Sequence, residues 1–303
     1  MDFLYLLEKI RVPVLNEFML AITTLGEETA FLVIAMILFW CVDKYVGYYT
    51  LSVGFIGTLA NQFLKLWFRI PRPWVLDENF TILEQAREAA SGYSFPSGHT
   101  QSAVGTFGSI AYISKNKKIA VIAIIVAALV AFSRMYIGVH TPLDVGVSVL
   151  IAIALILALK PVVFSNGHKN LPVLLGAMLI FAAVFMAFVK LYPFPAEIDP
   201  HNYESGVKNA FTLTGALLGL VAVYIVDEKW LNFNTKAVWW AQVLKVVIGL
   251  VVVLIVKSGT KGLLNMLFGE GIGRSVRYFL VVVVAGLVWP LSFRWFSKLG
   301  NKE

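Results

Sequence analysis

Long apolar blocks separated by short polar connectors dominate the chain. Uncharged stretches cover residues 29–42, 45–64, 100–114, 119–133, 145–159, 170–189, 209–226, 237–256 (interrupted by Lys245) and 278–293. Each approaches or reaches the roughly 20 residues a helix needs to cross a hydrocarbon core of ~30 Å. The pattern predicts an all-α fold, a polytopic transmembrane helical bundle of about nine spans. Residues 1–27 instead alternate apolar and charged positions at roughly helical spacing and include Pro13 and Glu17, which predicts an N-terminal interfacial helix. The chain thus reads as an interfacial segment 1–27, a core 28–165 and a C-terminal extension 166–303 with four spans, without internal repeats.

Composition strengthens this picture. Of the 303 residues 59% are hydrophobic and 14% charged, with a mean hydropathy of +0.79, which excludes a soluble globule. The net charge of +7 is scattered singly between apolar blocks, so anionic lipid headgroups and phosphate ligands are the expected partners, and nucleic acid is not. The single cysteine, Cys41, lies inside an apolar stretch and cannot form an intrachain disulfide. The charged start of the chain is unlike a secretory signal, so no segment is expected to be removed. Alternate connectors carry Lys115, Lys117, Lys118, Lys160, Lys169, Lys298 and Lys302, and this lysine bias predicts that their side is cytoplasmic.

Ionisable residues at the ends of spans are the candidates for chemistry, because each is costly in or near the bilayer. They form three clusters. The first is Lys65 with Arg72-Pro73 seven residues on; the second is Ser94, Phe95, Pro96, Ser97, Gly98, His99; the third is Ser133-Arg134 followed by His140, Thr141, Pro142, Leu143 and Asp144. Successive antiparallel spans bring all three to one membrane face, opposite the lysine-rich side and therefore external.

Three cations, two imidazoles, one carboxylate and two helix starts make an oxyanion site. Ser97-Gly98 lets backbone N–H groups approach an anion at a helix start, and arginine grips phosphate oxygens in a bidentate way. Thr141 reads as a helix N-cap and Pro142 as the first helical residue, so Asp144 can fold back on His140, four residues earlier. That pair looks like a nucleophile and its orienter, and His99 is suited to protonate a leaving oxygen, a contribution of typically ~10²- to 10⁴-fold.

Lys65-x6-Arg72-Pro73, Pro96-Ser97-Gly98-His99 and Ser133-Arg134-x5-His140-x3-Asp144 resemble, in order and intact, the three-part signature of the type 2 phosphatidic acid phosphatase family. The resemblance covers about half of the chain, from residue 29 to about 159, and makes 28–165 a phosphatase core. It implies a metal-independent phosphoric ester hydrolase, needing no cofactor, that works through a phosphohistidine. His140 would be the nucleophile, Asp144 its orienter and His99 the general acid, with Lys65, Arg72, Ser97, Gly98 and Arg134 as the phosphate cradle. The two spans before Lys65 and the nine-span layout depart from the family's common six and are similar to glucose-6-phosphatase.

The expected function is therefore an integral membrane phosphatase of the bacterial plasma membrane, with its site on the external face. Its expected substrate is a lipid phosphate such as phosphatidic acid, phosphatidylglycerol phosphate or a polyprenyl diphosphate. A soluble sugar phosphate is the alternative, and a non-enzymatic lipid binder or transporter is the second. Elsewhere, Arg69 reads as an interfacial anchor, Lys245 as a structural group, His168 and His201 as solvated loop residues, and 76–90 as a surface helix over the site.

Overall fold

The computed structural model describes residues 1–87 and 90–299; Lys302 and part of the expected surface helix, 88–89, lie outside these. Among the described residues all regular structure is helical. In chain order the helices are α1 (Asp2–Lys9), α2 (Pro13–Thr23), α3 (Glu28–Ile37), α4 (Lys44–Phe68), α5 (Pro73–Leu76), α6 (Gly98–Ile113), α7 (Lys117–Tyr136), α8 (Pro142–Phe164), α9 (Leu171–Leu191), α10 (Pro200–Val226), α11 (Trp239–Gly259), α12 (Lys261–Val283) and α13 (Phe293–Phe296). Short π- and 3-10 turns extend several of them.

Every block expected to span falls on a helix, but the count of nine is not reached. Six helices are long and apolar enough to cross a membrane: α7, α8, α9, Pro200–Leu231, α11 and Lys261–Phe296. A seventh results if Pro13–Gly26 and Glu28–Val42, bent by 56° at their junction, form one span. Blocks 45–64 and 100–114 become α4 and α6, which fall short for physical reasons. The α6 helix has 16 residues, about 24 Å of rise. Its neighbour α4 has 25, but Asn61, Gln62 and Lys65 and its Gly, Ser and Thr residues dilute its apolarity. Both carry the site, and helices that present polar groups inward cannot be uniformly apolar.

The chain forms two compact units. The first comprises Met1–Leu32, Thr50–Pro161 and Pro193–Gly206. In it α6 packs along α7, and the N-terminal segment, helical as expected but broken near Val12, lays α2 against α7 with Met19 and Thr23 buried. The stretch after α5 is not the expected surface helix: apart from one 3-10 turn at Glu84–Ala86 its described residues are extended or turning. Phe80 and Ile82 point inward onto Leu4 while Thr81 faces out, the two-residue period of an extended strap. Tyr5 Oη donates to Asp77 Oδ2 at 2.8 Å, and Arg11 donates to the carbonyls of Tyr136 (3.0 Å) and Thr81 (2.8 Å), fastening α1 to the strap and to the end of α7.

The second unit comprises Val33–Tyr49, Val162–Tyr192 and Val207–Glu303, of which 300–303 are not described. Lys245, read above as a structural group, is partnered inside this unit. Fully buried in α11, it donates to the carbonyls of Trp40 and Thr235, each at 2.9 Å, and its ammonium lies 4.3 Å from the ring centre of Phe293. The π-turn Leu38–Val42 supplies the first of these carbonyls. A buried ammonium is tolerated here because its protons are satisfied. Lys44 pairs with Asp227 at 2.8 Å, and His168, expected in solvent, stacks on Tyr45 with centroids 3.5 Å apart.

Candidate active site

The site lies wholly in the first unit and is assembled from the ends of four helices. The last turns of α4 carry Lys65, the segment before α5 carries Arg72, the start of α6 carries Ser97, Gly98 and His99, and the end of α7 carries Arg134. The α7–α8 connection and the first turn of α8 add His140 and Asp144. Lys65, Arg72, Ser97, Arg134, His140 and Asp144 are all buried, none more than 6% exposed.

Local chemistry explains each position. Ser97 caps α6: its hydroxyl accepts from the Thr100 hydroxyl at 2.9 Å and the Thr100 amide at 3.4 Å. The cap serves the Thr100 amide, while the amides of Gly98 and His99 have no carbonyl of their own helix to donate to. Thr141 and Asp144 form a reciprocal box at the start of α8. The Thr141 amide donates to Asp144 Oδ2 at 2.8 Å, and the Asp144 amide donates to Thr141 Oγ1 at 3.3 Å. The reversal between α7 and α8 needs Gly138, with φ of +89°, where a Cβ would also lie 2.9 Å from Arg11 and 3.0 Å from Phe80. The Arg134 carbonyl then accepts the amides of Val139 and His140, both at 3.2 Å, which fixes His140 beside the end of α7.

The three sequence clusters meet. Arg72 Nη1 lies 2.8 Å from His140 Nε2, joining the first cluster to the third. Guanidinium only donates, so Nε2 is the accepting nitrogen and the imidazole proton sits on Nδ1. Nδ1 faces Asp144 Oδ2 at 3.5 Å, longer than a hydrogen bond but within ion-pair range. Burial first, and then the charges of Arg72, Arg134 and Lys65, hold the His140 pKa well below the ordinary histidine value. The ring is therefore neutral and its outward nitrogen keeps a lone pair. The second cluster joins the third through the Ser94 hydroxyl, which donates to Asp144 Oδ2 at 2.6 Å, and through the Ser97 amide, which donates to the Asp144 carbonyl at 3.2 Å.

The cations are held by neutral oxygens. Arg72 donates to the carbonyls of Ser91 (2.8 Å), Gly92 (3.1 Å) and Val139 (2.9 Å), and burial lowers its pKa to about 10, still protonated at neutral pH. Lys65 donates to the Tyr93 carbonyl, with the Ser94 carbonyl 3.4 Å away. Arg134 Nη1 donates to Thr23 Oγ1 at 2.6 Å, and its Nε has no partner among the described residues. Asp144 acts on Lys65 and Arg72 and Glu27 acts on Arg134, so three buried cations stand against two carboxylates, an excess that an anion would balance. His99 makes no bond to the others; its Nε2 is unpartnered among the described residues, and its backbone packs against the turn at Gly26.

Ser94, Thr23 and Tyr93 are parts of the site without an individual role in the sequence motifs. Ser94 heads the second cluster, but Thr23 comes from a segment more than a hundred residues away in sequence from Arg134. A cavity of about 810 Å³ opens beside Arg72. Its lining includes Arg69, Trp74 and Arg87, Glu197 and Asp199 from the α9–α10 connection, and His201 in the first turn of α10. Arg69 and His201, read above as an anchor and a solvated residue, thus border the approach to the site. The Asp199 amide donates to Tyr93 Oη at 3.3 Å and ties this connection to the segment before α6.

The chain is similar to known proteins over the segment that carries this site. Residues 44–168 match the PAP2 superfamily, and residues 211–302 match the transmembrane extension of PAP2 superfamily phosphatases. Phosphatidylglycerophosphatase B of Bacillus subtilis (strain 168) is 36% identical over 149 residues, 45% of this chain and 69% of its own length. An undecaprenyl-diphosphatase of the same organism is 36% identical over 110 residues, 36% of this chain and 53% of its own. A probable sphingosine-1-phosphate phosphatase of Dictyostelium discoideum is 29% identical over 210 residues, 64% of this chain and 48% of its own. No solved structure matches the chain.

Proposed function

The chain belongs to the PAP2 superfamily, and we propose that it is an integral membrane phosphatase that removes phosphate from a lipid through a phosphohistidine at His140. The observation that carries this reading is the burial of Lys65, Arg72 and Arg134 around a neutral imidazole with a single carboxylate behind it. Such a place favours a phosphate dianion, and a lone pair faces it.

In the first step the phosphate displaces Arg72 from His140 Nε2, and Nε2 attacks phosphorus while the ester P–O bond breaks. Burial and the charges of Arg134, Arg72 and Lys65 hold the His99 pKa down at about 2, so His99 takes up a proton only with the phosphate dianion, which offsets those charges. It gives that proton to the departing oxygen, which leaves as an alcohol, or as a phosphate if the substrate is a diphosphate. Asp144 stabilises the positive charge that develops on the imidazole. In the second step His99 takes a proton from water, the water oxygen attacks phosphorus, the P–N bond breaks and orthophosphate leaves. Lys65, Arg72, Arg134 and the N–H groups of Gly98 and His99, at the helix start that Ser97 caps, hold the non-bridging oxygens, where charge builds up in the transition state. No step is routed through a metal or cofactor.

The relatives named for phosphatidylglycerophosphate and undecaprenyl diphosphate support a lipid substrate. We place the site on the external face of a bacterial plasma membrane, opposite the lysine-rich connectors. The test is a phosphate-release screen of the purified protein over phosphatidic acid, phosphatidylglycerol phosphate, a polyprenyl diphosphate and glucose 6-phosphate, with His140→Ala as blank. Release from at least one lipid, lost in the blank, is expected. Turnover of glucose 6-phosphate with none of the lipids would replace the lipid by a soluble substrate, and no release from any of the four would reject the proposal.

A further inference from the structure

The phosphate cradle described above omits a buried side chain that stands against it. Asn61 is one helical turn before Lys65 on the same face of α4 and is 2% exposed. Neither its amide nitrogen nor its amide oxygen has a hydrogen-bond partner among the described residues. Its Oδ1 lies 3.7 Å from where a Cβ on Gly98 would sit, so the amide abuts the first residue of α6. An unpaired buried amide is destabilising, and a leucine of similar volume would avoid that cost.

We propose that Asn61 is a further phosphate ligand, donating an amide N–H to a non-bridging oxygen of the group bound at Ser97–Gly98. Three features converge. Lys65, the cation of the same helix face, is the next inward group along α4. The amides of the α6 N-terminus point toward the same place and carry the positive end of the helix dipole. The carboxamide can turn about its last torsion to present either end, so Nδ2 reaches an anion without backbone movement. A neutral donor also adds a hydrogen bond to phosphate without adding a fourth positive charge to a buried site.

Gln101 provides the contrast. It is 3% exposed and unpartnered too, but it lies deeper in the α4–α6 seam, with Nε2 crowding Gly57, where a Cβ would come within 2.4 Å. It faces no free helix start.

This inference rests on the phosphatase reading, but its test does not need turnover. Orthophosphate and orthovanadate binding to the full chain in detergent is measured by calorimetry, alongside thermal unfolding, for wild type, Asn61→Leu, Asn61→Asp and Gln101→Leu. The expected result is anion binding about 10- to 100-fold weaker in Asn61→Leu, the value of one hydrogen bond to a charged group, and weaker still in Asn61→Asp. The midpoint of unfolding should be equal or higher in Asn61→Leu, which a merely structural amide would lower. Gln101→Leu should stay within twofold of wild type. Equal binding by wild type and Asn61→Leu overturns the proposal, as does an equal loss in Gln101→Leu. Absence of anion binding in wild type overturns both this proposal and the phosphate site, whereas anion binding without lipid turnover overturns only the proposed function.

Discussion

Replacing Asp144 by asparagine separates the charge of the carboxylate from its hydrogen bonds. Oδ2 accepts from Ser94 Oγ at 2.6 Å and from the Thr141 amide at 2.8 Å, and it faces His140 Nδ1 at 3.5 Å. An amide oxygen can take the place of Oδ2 and keep both donors, while an amide nitrogen there would meet them head on. The side chain is thus held in one orientation, and the change removes little except the negative charge. A unit charge 3.5 Å from a developing imidazolium, at an effective dielectric of ~20, is worth roughly 5 kcal/mol, or about a 10³- to 10⁴-fold loss in kcat. KM should stay level or fall, because losing the carboxylate leaves the site more positive toward the substrate phosphate. The assay is steady-state phosphate release from lipid in detergent micelles, with thermal unfolding measured in parallel and expected to change little. Retention of more than a tenth of the wild-type kcat would refute charge stabilisation by Asp144. A rise in KM at unchanged kcat would instead assign it to binding.

Three further outcomes follow from the same contacts. Ser94→Ala removes the hydroxyl that holds Asp144 Oδ2 and should lower kcat about tenfold or more, with KM nearly unchanged, in the same phosphate-release assay. Arg134→Ala takes away a buried cation and leaves Thr23 Oγ1 unpaired, so kcat should fall and KM rise together by a combined ~10²-fold or more in kcat/KM. Lys245→Met should spare activity but leave the carbonyls of Trp40 and Thr235 unpaired, destabilising the protein by about 1–3 kcal/mol in thermal unfolding.

What could be read from the sequence was what has a local or periodic signature. The helical blocks, the Thr141-Pro142-x-Asp144 helix start and the convergence of three span ends all follow from spacing and from antiparallel alternation. The structure brings Arg72, Ser97, His140 and Asp144 into contact as that reasoning expects. Hydroxyl and carbonyl partners were not legible. Thr23 meets Arg134, and Ser94 meets Asp144, through single hydrogen bonds set by packing, which no spacing encodes. Lys245 could be recognised as a costly intramembrane charge, but its partners are main-chain oxygens, one of them offered by a local π-turn that leaves no residue signature. The strap after α5 departs from the expected surface helix because Phe80, Thr81 and Ile82 alternate buried, exposed, buried, a two-residue period that decides against a helix despite the charged residues around it. The count of nine spans is not confirmed for a related reason: α4 and α6 are shaped by the site as much as by the bilayer.

Trapping the proposed covalent bond between His140 and phosphorus is the most direct test of the chemistry. Purified protein is quenched during turnover of ³²P-labelled lipid, denatured, and digested for mass spectrometry. The expected result is an acid-labile, base-stable phosphate on the peptide that contains His140, lost in His140→Ala and accumulating when water attack is slowed in His99→Ala with an activated substrate. Full turnover by His140→Ala, or a labelled phosphate on another residue, would contradict it.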